Sequence, residues 1–345
     1  MTRAVHPSLL NPAQPAARAA MDPSARWFIT GAFVLAAAAL FLAGWAPLGF
    51  SIVTVFLFAG PHNWFEFRYF LSRMPARWGP RRVYFLTGLF GALALTALFI
   101  GQTLAGRILE WSPATWAWTS ATWNGLLIAW VAAMIHMRRT ERGHRDHSLL
   151  WAVACAACGL ALLHPTAWSI GMVYLHPVIA LWFLDAELKR RHSTWLRPYR
   201  LFLAALPVML IVLWWQLAGS PNLPGHDALS WRITHHAGAG LFSGISTHLL
   251  VSTHTFLETL HYGVWMIAIP LAARRGLPWN VSTVPLAKKS MRWRRLVFAV
   301  PLVGAIIVLA LWACFLADYP LTRDVYFTIA ILHVLAEFPF LIRAS

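Results

Sequence analysis

Residues 246–270 read STHLLVSTHTFLETLHYGVWMIAIP. The run is long and apolar enough to cross a bilayer as a helix, which takes about 20 residues. It nevertheless carries His254, Glu258 and His261. At 3.6 residues per turn these positions share one stripe of a helix. Ionisable groups at membrane depth are costly unless they meet partners, so they argue for function.

The partners can be named. Two other apolar runs repeat the same His-x3-Glu step, His62 to Glu66 and His333 to Glu337. Of the 12 acidic residues, only Glu66, Glu258 and Glu337 sit well inside apolar runs, and each follows a histidine by four positions. Hydrogen bonding within each helix would account for any one of them. Three helices sharing one mixed ligand set suits a metal ion better than it suits helix-to-helix glue.

Composition agrees with a membrane protein. The chain of 345 residues is 59% hydrophobic, 12% charged, and rich in Trp (20) and Phe (21). Its net charge of +16 comes from basic residues confined to short loops, which excludes a nucleic-acid surface and fits positive-inside sorting. The three cysteines lie in apolar runs, with Cys155 and Cys158 spaced as C-x-x-C on one helix face. They read as small packing residues, and nothing suggests a disulfide framework or a zinc finger.

Residues 1–25, rich in Ala and Pro, read as a disordered cytoplasmic tail, and residues 26–345 as a single transmembrane domain. The expected fold is all-α, a polytopic bundle of about ten transmembrane helices. The runs are 27–45, 48–70, 83–106, 115–136, 148–164, 167–187, 200–218, 241–271, 297–317 and 325–342. Arginine and lysine cluster after the second, fourth, sixth and eighth runs, for example Arg73, Arg77, Arg81 and Arg82 after the second. Both termini are therefore expected on the cytoplasmic side of an inner membrane. The second, eighth and tenth runs then point the same way, which brings their His-x3-Glu steps to one level, with access expected from the cytoplasmic side.

The remaining polar residues sort around that level. His176, in Tyr-Leu-His-Pro, is either a further ligand or a substrate-channel residue. His136 reads as interfacial, and His235 and His236 as solvated in a Gly-rich outer segment. His248 lies about 120° from the His254 stripe and faces elsewhere. Asn63, Tyr262 and Asn124 are placed to support ligands by hydrogen bonds. Asp185 and Glu187 are expected to pair with Lys189 or Arg190.

The metal ligand set is thus His62, Glu66, His254, Glu258, His261, His333 and Glu337, with the three glutamates as ligands, bridges or catalytic bases. Imidazole with carboxylate suits iron, one or two ions, with zinc as the alternative. Only one Glu-x-x-His occurs, at Glu258 and His261, so the ferritin-like pattern does not apply. The His-Glu-x-x-His motif of zinc proteases is absent.

One stretch resembles a family. Gly60-Pro61-His62-Asn63-Trp64-Phe65-Glu66 is similar to the G-x-P-H-G-x-x-D step of the Brp/Blh family of membrane β-carotene dioxygenases, with Asn63 in place of the family's Gly and Glu66 in place of its Asp. The similarity implies a polytopic fold and a role for His62 as an iron ligand. The expected function is a membrane-embedded non-haem iron oxidoreductase acting on a lipid-soluble substrate, a polyene, isoprenoid or acyl chain, with an electron donor as a further partner. The alternatives are an intramembrane zinc hydrolase of a lipid amide or ester, and a proton or metal-ion transporter using the same His/Glu network.

Overall fold

The computed structural model describes residues 22–75, 77–225, 227–273 and 284–344. These form an all-helical bundle, and among the described residues there is no strand. The helices are α1 (Pro23–Trp45), α2 (Pro47–Arg73), α3 (Arg82–Ile108), α4 (Pro113–Glu141), α5 (Ser148–Leu163), α6 (Pro165–Arg191) and α7 (Ser193–Leu217). A short α8 (Ala228–His236) precedes α9 (Thr247–Gly263), and α10 (Met291–Ala317) and α11 (Tyr319–Ala344) follow. The chain of α9 runs on through a π-helical turn, Val264–Ala268, into a last turn, Ile269–Ala272.

Local chemistry sets the helix starts. Proline opens α1, α2, α4 and α6, where its missing N–H is not needed. Asp22, Ser112, Asp227, Ser246 and Ser290 cap their helices through side-chain oxygens. Single residues with φ between −135° and −152°, namely Ala46, His164, His192 and Asp318, break the chain between consecutive helices. Asp22 also corrects the expected tail: residues 1–21 lie outside the described residues, while Pro23–Ala25 already belong to α1, and Ala25 is fully buried. The cap explains the earlier start, because the Asp22 carboxylate accepts the Ser24 N–H at 3.0 Å. The Ser24 hydroxyl, donating at 2.7 Å, and this N–H together hold its carboxyl below the usual carboxylate range.

Each of the ten apolar runs falls on a helix, the largest departure being residues 241–246, which precede α9. Seven of the helices are long and apolar enough to cross a membrane: α1, α2, α3, α6, α7, α10 and α11. Their outward faces carry Leu93 and Leu98 on α3, Val208 and Ile211 on α7, and Leu302, Ile306 and Leu309 on α10, all more than half exposed. Such continuous apolar exposure is the surface that lipid covers. The helix α10 is almost wholly peripheral, and the indoles of Trp64 and Trp312 pin it by donating to Pro301 O and Phe56 O across the α2 contact, both at 2.8 Å.

At the centre stands α9. Every residue from Leu250 to Trp265 is buried. It packs against α1, α2, α6 and α7, so its Ser, Thr and His residues face protein and not lipid. Serine and threonine there bond to backbone carbonyls: Ser252 Oγ donates to Ala43 O of α1 at 2.8 Å. Burial inside the bundle is what allows so polar a helix at this depth.

Two ion clusters mark opposite ends. At the end with the basic loops, Glu187 is fully buried and ion-paired with Arg73, Arg190 and Arg191, tying α2 to α6. Asp185 pairs with Arg200 of α7 at 2.9 Å, and not with Lys189 or Arg190 as expected, because α7 folds back directly beside it. At the other end Asp324 of α11 pairs with Arg232 of α8 at 2.8 Å and Arg107 of α3 at 3.5 Å.

Candidate metal centre

Four helices converge on one buried cluster. A ligand atom from each of His62 and Glu66 on α2, His261 on α9 and His333 on α11 lies within 4.8 Å of the other three. His176 on α6, His333 and Glu337 form a second group by the same measure. The groups share His333, so six side chains surround two adjoining positions. The ring centroids of His62 lie 5.2 Å from both His261 and His333, and His176 lies 4.4 Å from His261 and 5.7 Å from His333. Donors around one tetrahedral ion stand about 3.4 Å apart, so pairs near the 4.8 Å limit would close by about 1 Å on binding one.

The chain prepares these ligands. The ring Nδ1–H of His62 donates to Phe58 O at 3.0 Å, which fixes the tautomer and turns the Nε2 lone pair toward the cluster. Each ligand-bearing helix also carries a backbone irregularity close by. Pro61 precedes His62, Pro177 follows His176, the π turn starts three residues after His261, and Pro339 follows Glu337 by two. Prolines and π turns interrupt the hydrogen-bond ladder and re-aim side chains, and they recur at functional sites.

The donor set fits a cation. Glu66 and Glu337 are each 1% exposed and act on one another electrostatically. Two neighbouring carboxyls away from water need a proton or a cation between them. Glu66 Oε2, Glu337 Oε1 and both ring nitrogens of His261 and of His333 are buried with no partner among the described residues. At about 1–3 kcal/mol for each such atom, these six would consume a stability comparable to that of a whole domain. Metal coordination would satisfy the two carboxylate oxygens and one nitrogen of each ring, leaving the N–H of each ring to another acceptor.

A cavity of about 550 Å³ opens onto the cluster, within the range that holds one small-molecule ligand. The rings of His62, His176, His261 and His333 line it, whereas Glu66 and Glu337 do not. The histidines thus face the cavity and the glutamates stand behind them. Phe99, Trp123, Leu127, Met172, Ile331 and Phe338 form an apolar wall. Its rim carries Arg107, Arg232 and Asp324, at the end away from the basic loops. Access from the basic-loop side is therefore corrected. There, one turn beyond the ligands, the rings of Tyr69, Phe70, Phe183, Trp265 and Phe340 stack into a plug.

The structure separates two of the expected ligands from the rest. His254 precedes His261 by seven residues, about 10 Å along α9. Its Nδ1 lies 3.8 Å from Glu258 Oε2, and Tyr262 donates its hydroxyl to Glu258 Oε1 at 2.7 Å. His254 and Glu258 line the cavity in a layer of their own, above the cluster. His236 belongs to that layer, its ring 5.0 Å from those of both His254 and Phe327. The expectation that it is solvated fails because α8 folds back over the cavity, while its neighbour His235 remains exposed and stacked on Trp231.

The other polar residues fall outside the cluster. His136 stacks on His147 at 4.0 Å near the basic loops. Desolvation, and then repulsion from His136, hold His147 below its ordinary value. His248 bonds Gly44 O of α1 at 2.9 Å, and Asn63 donates to the Tyr326 hydroxyl at 3.1 Å. Asn124 is buried on the cavity wall. Cys155 and Cys158 are free thiols. No protein-family model matches the chain, and no curated protein or solved structure is significantly similar to it.

Proposed function

We propose that this chain is a membrane-embedded non-haem iron oxidoreductase that acts on a lipid-soluble substrate. One observation carries the reading: four histidines face an apolar cavity inside the bundle, with two glutamates closing the set behind them. His62, Glu66, His176, His261, His333 and Glu337 would hold one or two ions. Iron in a mixed imidazole and carboxylate set supplies oxygen chemistry when bound. The protein's own part is to orient the ligands, bind an apolar chain against Phe99, Trp123 and Phe338, and exclude water. The buried Glu66 and Glu337 carboxyls beside the cluster can hold a proton there. The similarity of residues 60–66 to the membrane carotenoid dioxygenases supports the same assignment for His62.

The aromatic rings that separate the cluster from the arginine-lined space at the basic-loop end favour catalysis over transport. A zinc hydrolase would use the same ligands, and metal identity separates the two. We place ten crossings in a cytoplasmic membrane with both chain ends inside, supported by the basic loops after α2, α4 and α6. The substrate would then enter from the opposite side or from the lipid.

The test is metal content with an optical spectrum on protein purified without a metal-affinity step. Iron without a haem Soret band, lost together with turnover in His261→Ala, is the expected result. Stoichiometric zinc would move the assignment to hydrolysis. Absence of any metal after mild purification and reconstitution would overturn both.

A further inference from the structure

The layer above the cluster contains a charge that the metal does not use. Arg323 of α11 is only 5% exposed and lines the cavity. Its guanidinium lies over the Phe327 ring at 4.7 Å and makes no ion pair or hydrogen bond among the described residues. Its Nε is buried without a partner. The other charges on the cavity wall are Arg107, Arg232, Asp324 and Glu258. Asp324 is already shared between Arg107 and Arg232, and Glu258 accepts from Tyr262. Three arginines thus face two carboxylates, and the one that makes no ion pair is the most deeply buried, with Glu258 and Asp324 acting on it only at longer range. A buried guanidinium is costly unless an anion contacts it.

From these contacts we infer that the cavity binds a single-chain amphiphile whose anionic head sits on Arg323 and whose apolar tail runs to the histidine cluster. A guanidinium offers two parallel N–H donors to a carboxylate or phosphate. His236 and Phe327 adjoin Arg323 and close the head-group end. Arg323 precedes His333 by ten residues on α11, about 15 Å. A long chain spans that distance along the Phe99, Trp123 and Leu127 wall, and a short acid does not. The inference names a substrate class for the proposed oxidoreductase and rests on that reading only in taking the bound amphiphile as substrate. The binding itself requires no metal.

The test is photoaffinity labelling of the full chain in lipid nanodiscs with palmitic acid carrying a terminal diazirine, compared with its methyl ester. The acid is expected to label peptides of α3, α4 or α11 saturably, at least tenfold more than the ester. Palmitate or farnesyl phosphate should compete, and butyrate should not. The better competitor shows whether the head is a carboxylate or a phosphate. Arg323→Met should lose acid labelling at least tenfold with unchanged ester labelling and metal content, and Arg323→Lys should retain most of it. Equal labelling by acid and ester, or an Arg323→Met protein that labels like the parent, overturns the inference. Should Arg323→Met fail to fold, the acid-to-ester ratio on the parent protein decides alone. Acid-selective labelling of a protein that binds no metal would sink the oxidoreductase reading and leave this site standing.

Discussion

Replacing His333 by alanine should empty the centre, while replacing His254 should not. His333 belongs to both ligand groups, so no arrangement of one or two ions escapes its loss. His254 lies about 10 Å from His261 along the same helix and belongs to neither ligand group. Loss of a group that merely supports a ligand weakens metal binding about 10–100-fold. Loss of a ligand should do at least the larger of these. With free metal about tenfold above the parent dissociation constant, a hundredfold weakening lowers occupancy from about nine-tenths to about one-tenth. His254→Ala should stay near nine-tenths. The assay is metal per chain by mass spectrometry on protein equilibrated at fixed free iron, with monodispersity checked in detergent. Retained metal in His333→Ala, or metal lost in His254→Ala, would refute the two-layer reading.

Other perturbations bear on the same framework. Stripping the metal with a chelator should lower the unfolding temperature, since an ion at a hundred times its dissociation constant stabilises by about 2.7 kcal/mol. Differential scanning fluorimetry with metal added back checks the reversal. Glu187→Ala should destabilise by about 2 kcal/mol in detergent thermal-stability assays, below the usual cost of breaking a buried ion pair because its arginine partners are 33–46% exposed. Trp265→Ala should cost about 3–5 kcal/mol, because the indole is fully buried in the aromatic plug. Trp265→Phe should cost about 1 kcal/mol or less, since the Trp265 N–H has no partner to lose. Equal losses for the two Trp265 variants in the same assay would show that an interaction of the N–H matters.

The sequence carried the helices and much of the centre because both rest on local patterns. Apolar runs and the basic residues between them are set by the bilayer, and each run falls on a helix. The His-x3-Glu steps of α2 and α11 stood out because carboxylates are rare inside such runs. The third step behaved differently. Periodicity gives the direction in which His254, Glu258 and His261 point, but not their height against neighbouring helices. That height is set by packing of α9 against α1, α2 and α6, and it brings His261 to the cluster while leaving His254 and Glu258 above it. His176 has no acid four residues on, so its own helix left it open between a further ligand and a channel residue. His236 was legible only through the start of α8, where Asp227 caps the Ser230 N–H at 2.8 Å, and no local signal foretold that this helix folds over the cavity.

The six side chains of the cluster come from α2, α6, α9 and α11, and the outermost, His62 and Glu337, stand at opposite ends of the chain. This spacing orders events during synthesis. A ribosome delivers α2 to the membrane long before α11, and until α11 is inserted both ligand groups lack His333. If the cluster binds a metal as proposed, loading would belong to the finished chain and not to the nascent one. A product truncated before residue 333 would keep the α2 and α9 histidines but complete neither group.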